Sequence, residues 1–131
     1  MCMLLYDLFS DIIKIDNVLL IVKNNGVVSE IRAPNKIKQK EKWITIGEND
    51  DPAHMHINSE LIKSAKFIQE EKPERVSYSI HFYDDNENRV VAAFFTKMYD
   101  DSKKLIQNRK LEYDTLRDKY SAFIDFKKNL V

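Results

Sequence analysis

The sequence predicts an α+β fold in which helices pack on a mainly antiparallel β-sheet. Two observations predict it. Apolar residues recur at helical spacing near both ends of the chain. In the middle of the chain, apolar and polar residues alternate in short segments, and the polar turns between these segments are too short for parallel crossovers. The length of 131 residues, with 44% hydrophobic and 32% charged residues, fits one globular domain over residues 1–131.

The first predicted element is an amphipathic helix over residues 3–15, where leucine, phenylalanine and isoleucine recur at helical spacing. A β-hairpin follows, because Asn25-Gly26 separates the β-branched runs 18–22 and 27–31, and Asn-Gly tolerates the positive φ of tight hairpin turns. Residues 32–42 carry five basic residues and one acidic residue. Such a run is typical of a solvated loop or an edge strand.

The next segments alternate strands with turns. Residues 43–46 form a predicted strand, and beyond an acidic turn His54 and His56 alternate with apolar residues, so that a strand here points both imidazoles to one side. A short helix over residues 58–65 is predicted, with Asn58 or Ser59 as its N-cap. A further strand is predicted over residues 67–70.

Two longer strands, residues 75–83 and 89–99, are joined by a polar turn suited to an antiparallel hairpin. The second is apolar on both faces, which predicts a place inside the sheet with cover on both sides. A C-terminal helix with an apolar stripe from Leu105 to Ile124 can supply one cover. We expect a single sheet to contain all five strands of this middle part, which are 43–46, 54–57, 67–70, 75–83 and 89–99.

Charge and composition exclude several classes of function. Twenty-one basic and twenty-one acidic side chains cancel, so the chain lacks the field that general binding to nucleic acid or an anionic membrane requires, and self-association as a homo-oligomer is easier. Cys2 is the only cysteine, which suits the cytoplasm and forbids an intrachain disulfide. The longest apolar run, residues 18–22, is too short to span a bilayer, and the N-terminus lacks the charge order of a signal peptide.

The candidate chemistry lies in the histidines, because glycine-rich phosphate loops, nucleophile elbows and Cys-x-x-Cys pairs are absent from the sequence. His54 and His56, two residues apart on a strand, place their imidazoles roughly 7 Å apart, within reach of one metal ion or one flat ligand. A solvated or hydrogen-bonded surface pair is the more ordinary interpretation. His81 lies on the strand 75–83, whose second face also carries Tyr83.

A series of segments in the last two thirds of the chain resembles the haem-utilisation proteins of the ChuX/HutX type, and also one half of the two-repeat HemS/ChuS type. Two departures concern Thr96, where the family usually has glycine, and residues 98–101, which replace a Pro-Gly. The segments that carry the resemblance are, in order, Trp43-Ile44-Thr45-Ile46-Gly47, His56-Ile57-Asn58, Lys72-Pro73, Ser77-Tyr78-Ser79-Ile80, Phe82-Tyr83-Asp84 and Phe94-Phe95-Thr96-Lys97.

The resemblance implies a curved antiparallel sheet with flanking helices, a homodimer, and haem bound in a cleft by a histidine. An imidazole can ligate iron, aromatic side chains can flank a porphyrin and cations can pair with its propionates. The candidate residues are His81, His56 and His54 as iron ligands, Tyr83 beside the porphyrin, and Lys97 and Arg89 at the propionates. His81 ranks first because of its tyrosine-bearing strand face.

A pocket of this kind also requires Phe95, Lys97 and Tyr99 to alternate on the neighbouring strand and to face His81. The competing interpretation is that Phe95, Tyr83 and Tyr99 form core under the C-terminal helix. Three functions follow: a cytoplasmic haem carrier in iron acquisition, an enzyme that opens haem, and a haem-free dimeric module that binds a small ligand or a partner. The sequence shows no distal oxygen-binding signature for the enzyme, and the departures around Thr96 favour the module.

Overall fold

A computed structural model of the chain describes residues 3–129. Cys2, on which the prediction of a reducing compartment rests, lies outside the described residues. Two short 3₁₀ turns, Ser59–Leu61 and Phe126–Asn129, supplement the regular elements. These are, in chain order, α1 (Met3–Ile13), β1 (Val18–Lys23), β2 (Val28–Arg32), β3 (Ile37–Lys40), β4 (Trp43–Ile46), β5 (Met55–Asn58), β6 (Ser64–Lys72), β7 (Arg75–Tyr83), β8 (Arg89–Phe95), α2 (Gln107–Tyr120) and β9 (Phe123–Asp125).

The larger sheet has six strands in the order β2-β1-β8-β7-β6-β9. Every neighbouring pair is antiparallel, which confirms the predicted α+β class. The β7–β8 hairpin has Tyr78 opposite Phe95 and a bulge between Phe82 and Tyr83. Strand β8 lies between β1 and β7, so the prediction of an interior strand is confirmed. The predicted cover on both sides is incomplete, because Phe94 of β8 is only partly buried and lies outside the core.

The expectation of one sheet is wrong. Strands β4 and β5 belong to a separate three-stranded sheet with the order β3-β4-β5. Ile46 of β4 lies opposite both Ile37 of β3 and Met55 of β5. Strands β3 and β5 therefore pair with the two edges of β4. The apolar face of this small sheet still joins the common core through buried Ile44, Ile46 and Ile57.

The predicted short helix over residues 58–65 is reduced to the single 3₁₀ turn Ser59–Leu61. The capping prediction is confirmed, because Asn58 Oδ1 accepts a hydrogen bond of 3.1 Å from the backbone N–H of Glu60. Ile62 is already extended, with φ −92° and ψ 118°. Ile62 and Ala65 are buried, and burying them against the core favours a strand over a continued helix.

Two more boundaries differ near the C-terminus. The predicted strand 89–99 ends at Phe95, and Lys97 adopts a left-handed φ of 55° that no continuous strand permits. Helix α2 ends at Tyr120, followed by Ser121 at φ 82°. The residues beyond it, 123–125, therefore do not extend the helical stripe but form the edge strand β9, paired with β6.

The predicted β1–β2 hairpin is confirmed, but its turn is stabilised differently from the expectation. Asn24 Oδ1 accepts hydrogen bonds of 2.8 Å from the backbone N–H groups of Gly26 and Val27, and Gly26 does not have a positive φ. The asparagine side chain closes this turn, a role typical of Asn in turns.

Both helices pack on one face of the six-stranded sheet, which we call the helix face and which carries Phe82, Tyr78 and Phe95. From α1, the ring of Phe9 stacks on Phe82 with 4.4 Å between centroids. From α2, Tyr113 lies 5.2 Å from Tyr78 and 5.1 Å from Phe95, edge to face. No helix within residues 3–129 is long and apolar enough to cross a bilayer.

Candidate functional site

The opposite face of the six-stranded sheet, which we call the open face, carries apolar side chains that the core does not use. Strand alternation and register place Leu19 opposite Phe94, and put Ile21 and Ile68 on the same side. These four are only partly buried, and none belongs to the core or packs against it. The open face therefore presents an apolar surface that is free for a ligand.

His81 lies on the open face, in one of the two central strands. Its cross-strand neighbours are Lys66 on β6 and Ala92 on β8. Its ring lies 5.7 Å from the ring of Phe94, centroid to centroid. The sequence prediction that His81 shares a face with Tyr83 is confirmed by a contact of 3.4 Å between His81 Nδ1 and the Tyr83 hydroxyl.

The environment of His81 keeps its imidazole neutral. Burial lowers the pKa of His81 from 6.5 to about 4, and the positive charge of Arg89 acts in the same direction. At neutral pH the ring therefore has one nitrogen lone pair, which is the form that ligates a metal. Burial also raises the pKa of the Tyr83 phenol, so that the neighbouring hydroxyl stays protonated.

Aromatic rings and cations surround this imidazole. The ammonium of Lys66 lies 5.5 Å from the ring centroid of Tyr83 and 5.8 Å from that of Phe123, which is within the range of a cation–π contact. Phe123 is 53% exposed. Arg89 lies opposite Tyr83 at the start of β8. Together they supply both the flat apolar contacts and the positive charge that an aromatic anion requires.

His54 and His56 lie on the other sheet, next to each other. Their ring centroids are 5.2 Å apart and their planes are inclined by 72°. His56 Nδ1 lies 2.9 Å from Thr45 Oγ1, and His54 Nδ1 lies 3.2 Å from the carbonyl oxygen of Asp51. Both side chains are exposed, which matches the ordinary interpretation of a hydrogen-bonded surface pair.

The three histidines do not converge on one metal ion. His81 is in the six-stranded sheet, whereas His54 and His56 are in or beside the three-stranded sheet. Within residues 3–129 no group of three or more His, Cys, Asp and Glu side chains could hold a metal ion. A metal bound to a histidine of this chain would therefore have to bring further ligands of its own, as a metalloporphyrin does.

The predicted alternation of Phe95, Lys97 and Tyr99 beside His81 is wrong. Phe95 points to the helix face and contacts Tyr113, because it lies opposite Tyr78. Lys97 is exposed beyond the end of β8. For Phe95, the competing interpretation as core under the C-terminal helix is the one that the structure supports.

Sequence analysis missed Phe94, Lys66 and Phe123 as members of the open face. The register of β7 with its neighbours brings Lys66 opposite His81 and Phe94 opposite Ser79. Period-two alternation on residues 89–95 could have placed Phe94 on the face opposite to Phe95. Neither periodicity nor composition could have shown Phe123, because β9 joins the sheet only through its long-range pairing with β6.

Comparisons with known proteins place this chain in a family. A protein-family model matches residues 6–123. No curated protein sequence matches the chain significantly. Among solved structures, protein AGR_C_4470 from Agrobacterium tumefaciens is similar at 21% identity and a TM-score of 0.71, over 87% of this chain and 66% of that one.

The haem-binding protein ChuX is similar at 16% identity and a TM-score of 0.73, over 87% of this chain and 70% of that one. The haem oxygenase ChuS of Escherichia coli is similar at 14% identity and a TM-score of 0.67, over 88% of this chain and 35% of that one. The chain thus spans about two thirds of the length of AGR_C_4470 and ChuX, and about a third of ChuS. These likenesses show a shared α+β fold, and the chain belongs to the haem-utilisation protein family of the ChuX/HutX type.

Proposed function

We propose that the protein is a haem carrier that binds haem on the open face, with His81 as the iron ligand. The observation that carries the proposal is a neutral, partly buried imidazole in the middle of an apolar surface that the core does not use. The description of the similar protein ChuX as haem-binding supports the proposal.

The residues present fit the chemistry of haem. Phe94, Leu19 and Ile21 offer a flat apolar surface, and Lys66 and Arg89 offer cations for the two propionates. The row of cross-strand neighbours from Lys66 to Ile21 crosses four strands, which is roughly 14 Å, wide enough to underlie a porphyrin. Haem bound there would supply the redox-active iron, and the protein would supply the axial nitrogen and the apolar contacts.

His56 and then His54 are the alternative ligands. Both lie on an exposed surface beside Thr45 and Asp51, where no apolar face for a porphyrin is formed by the residues that contact them. We therefore place His81 first, as the sequence did. Lys97 is exposed beyond the end of β8 and, in the described part of the chain, makes no hydrogen bond or cation–π contact with His81 or Tyr83.

We further infer that the chain acts in the cytoplasm as a single-domain homodimer. Zero net charge gives little repulsion between copies, and exposed apolar side chains outside the open face, such as Trp43 and Leu111, would gain from being covered. Sedimentation at micromolar concentration tests the dimer. A monomer of 15.5 kDa without concentration dependence would contradict it.

Titration of the protein with hemin tests the haem proposal directly. We expect wild type to develop a Soret band of bound haem, and His81→Ala to shift that band and weaken binding about tenfold or more. His56→Ala and His54→Ala are matched controls that should bind as wild type does. Equal band positions and affinities in all four proteins would show that no histidine is the ligand.

Binding without degradation is the activity that we propose. Addition of ascorbate and oxygen to the haem complex should leave the Soret band in place, because a carrier must release haem intact. Loss of the band with release of free iron would instead identify an enzyme that opens haem, the activity named for ChuS.

One observation favours a second candidate, a haem-free module that binds a small ligand or a partner. Both ring nitrogens of His81 lie near hydroxyls, with Nε2 at 3.0 Å from Ser79 Oγ and Nδ1 at 3.4 Å from the Tyr83 hydroxyl. Iron would have to displace one of them. A wild-type protein that produces no Soret band with hemin would support this second function.

A further inference from the structure

One cavity at the end of the open face is lined by basic side chains. It lies where β7 begins and β8 ends, has a volume of about 120 Å³, and is lined by Arg75, Ser77, Phe94, Thr96 and Lys97 among others. No acidic side chain is among its lining residues. Two cations without a compensating carboxylate make this cavity electropositive.

The donors that line the cavity are unused. Within residues 3–129, Arg75 and Lys97 take part in none of the ion pairs, and the hydroxyl of Ser77 makes no hydrogen bond with the described residues. Glu70 lies opposite Ser77 in the β6–β7 register, yet it forms no ion pair with Arg75. A guanidinium, an ammonium and a hydroxyl therefore remain available to one small ligand.

Two other hydroxyls in the cavity wall, those of Tyr99 and Thr96, already make hydrogen bonds within the protein. The Tyr99 hydroxyl donates to the carbonyl of Val76 and accepts from its N–H, both at 2.9 Å. Thr96 Oγ1 donates to the carbonyl of Asn17 at 2.7 Å and accepts from Arg32 Nη1 at 2.6 Å. These bonds preorganise the cavity, and Arg32 brings a third cation to its rim.

We propose that this cavity binds one oxyanion group, a carboxylate or a phosphate, between Arg75 and Lys97, with the Ser77 hydroxyl as a third donor. Planar guanidinium and point-charge ammonium groups are the usual partners of such anions. The proposal rests on the cavity and its charges and does not depend on haem. Phe94 lines this cavity and also contacts His81, so the oxyanion could belong to a ligand on the open face or be a free ion.

Inorganic phosphate is the probe for the cavity itself. In ¹H–¹⁵N NMR spectra of wild type, phosphate at constant ionic strength should shift the amide signals of Ser77, Thr96 and Lys97 saturably. The double variant R75Q/K97Q removes two charge-assisted donors and should lose about tenfold or more of this affinity. The matched control K38Q/K40Q removes two exposed lysines of β3 and should bind phosphate as wild type does. Shifts that do not saturate, or equal affinity in all three proteins, would overturn the proposal.

Haem and haem dimethyl ester, whose propionates are blocked, distinguish the two sources of the anion. If phosphate binds and R75Q/K97Q weakens binding of haem but not of the ester, a propionate occupies the cavity. If phosphate binds and haem affinity is unchanged by R75Q/K97Q, the cavity takes a free oxyanion. Phosphate binding by a wild type that gives no Soret band would uphold the cavity and contradict only the haem function.

Discussion

The Nε2 atom of His81 lies 3.0 Å from Oγ of Ser79, the residue two positions earlier on the same face of β7. Ser79 is only 2% exposed, and the Tyr83 hydroxyl is the third member of this line of polar groups. The ring of Phe94, on the neighbouring strand, lies 5.7 Å from the imidazole, centroid to centroid. The imidazole is thereby fixed in orientation on a largely apolar surface.

The first prediction is a pH dependence of stability that originates at His81. Its pKa is about 4 in the folded chain and 6.5 unperturbed, so between these values the unfolded chain binds the extra proton. The free energy of unfolding should therefore fall by about 1–3 kcal/mol as the pH falls from about 6.5 to about 4. Urea unfolding of wild type and His81→Asn across this range measures it, and the variant should lack this component. An NMR titration of the His81 ring with a midpoint near 6.5 would contradict it.

The second prediction concerns Tyr113, whose hydroxyl donates to the carbonyls of Ser79 at 3.0 Å and Ile68 at 3.3 Å. Tyr113→Phe keeps the ring contacts but leaves both carbonyls without this donor, and should lower the free energy of unfolding by about 1–2 kcal/mol. Tyr113→Ala also removes the ring and should cost about 3–5 kcal/mol. Denaturant melts of both variants measure the difference, and equal losses would show that the ring contributes nothing.

The third prediction concerns Arg109, which is 9% exposed and joins α2 to the sheet. Its Nη2 donates to the carbonyls of Thr96 at 2.7 Å and Asn17 at 3.3 Å. Arg109→Met should cost about 1–3 kcal/mol, because the Thr96 carbonyl loses its charged donor, whereas the Asn17 carbonyl keeps hydrogen bonds from the N–H and the hydroxyl of Thr96. Arg117→Met, in a half-exposed pair with Asp114, is the control and should cost less than about 1 kcal/mol. Similar thermal melting of the two variants would refute this role.

The fourth prediction compares the two glycines. Gly47 has a φ of +87°, and a Cβ there would lie 3.0 Å from the carbonyl oxygen of Ala53. Gly47→Ala should therefore destabilise the protein by about 1–3 kcal/mol. At Gly26 a Cβ would meet nothing closer than 3.9 Å, so Gly26→Ala should be neutral or stabilising by up to about 1 kcal/mol. Calorimetric unfolding of the pair tests this, and equal melting temperatures would count against it.

The candidate site was predictable only in part. Alternation along β7 put His81 and Tyr83 on one face and Tyr78 and Phe82 on the other, and the structure agrees. The members that neighbouring strands add to that face depend on register. A shift of one residue in β8 would exchange Phe94 for Phe95 beside His81, and the sequence contains no signal strong enough to set that register.

The sequence by itself determined the types of most elements and the antiparallel hairpins, because these rest on local periodicity or on short-range turn chemistry. The family resemblance rested separately on the order of short matching segments along the chain. Only the tertiary structure decided the division of the strands into two sheets, the conversion of residues 123–125 into a strand, and the face that the helices cover. These depend on contacts between distant residues, such as Thr96 with Asn17 and Lys66 with Phe123. Such contacts form because together they bury the whole core. The free energy of any one local segment is too small to determine which distant residues meet.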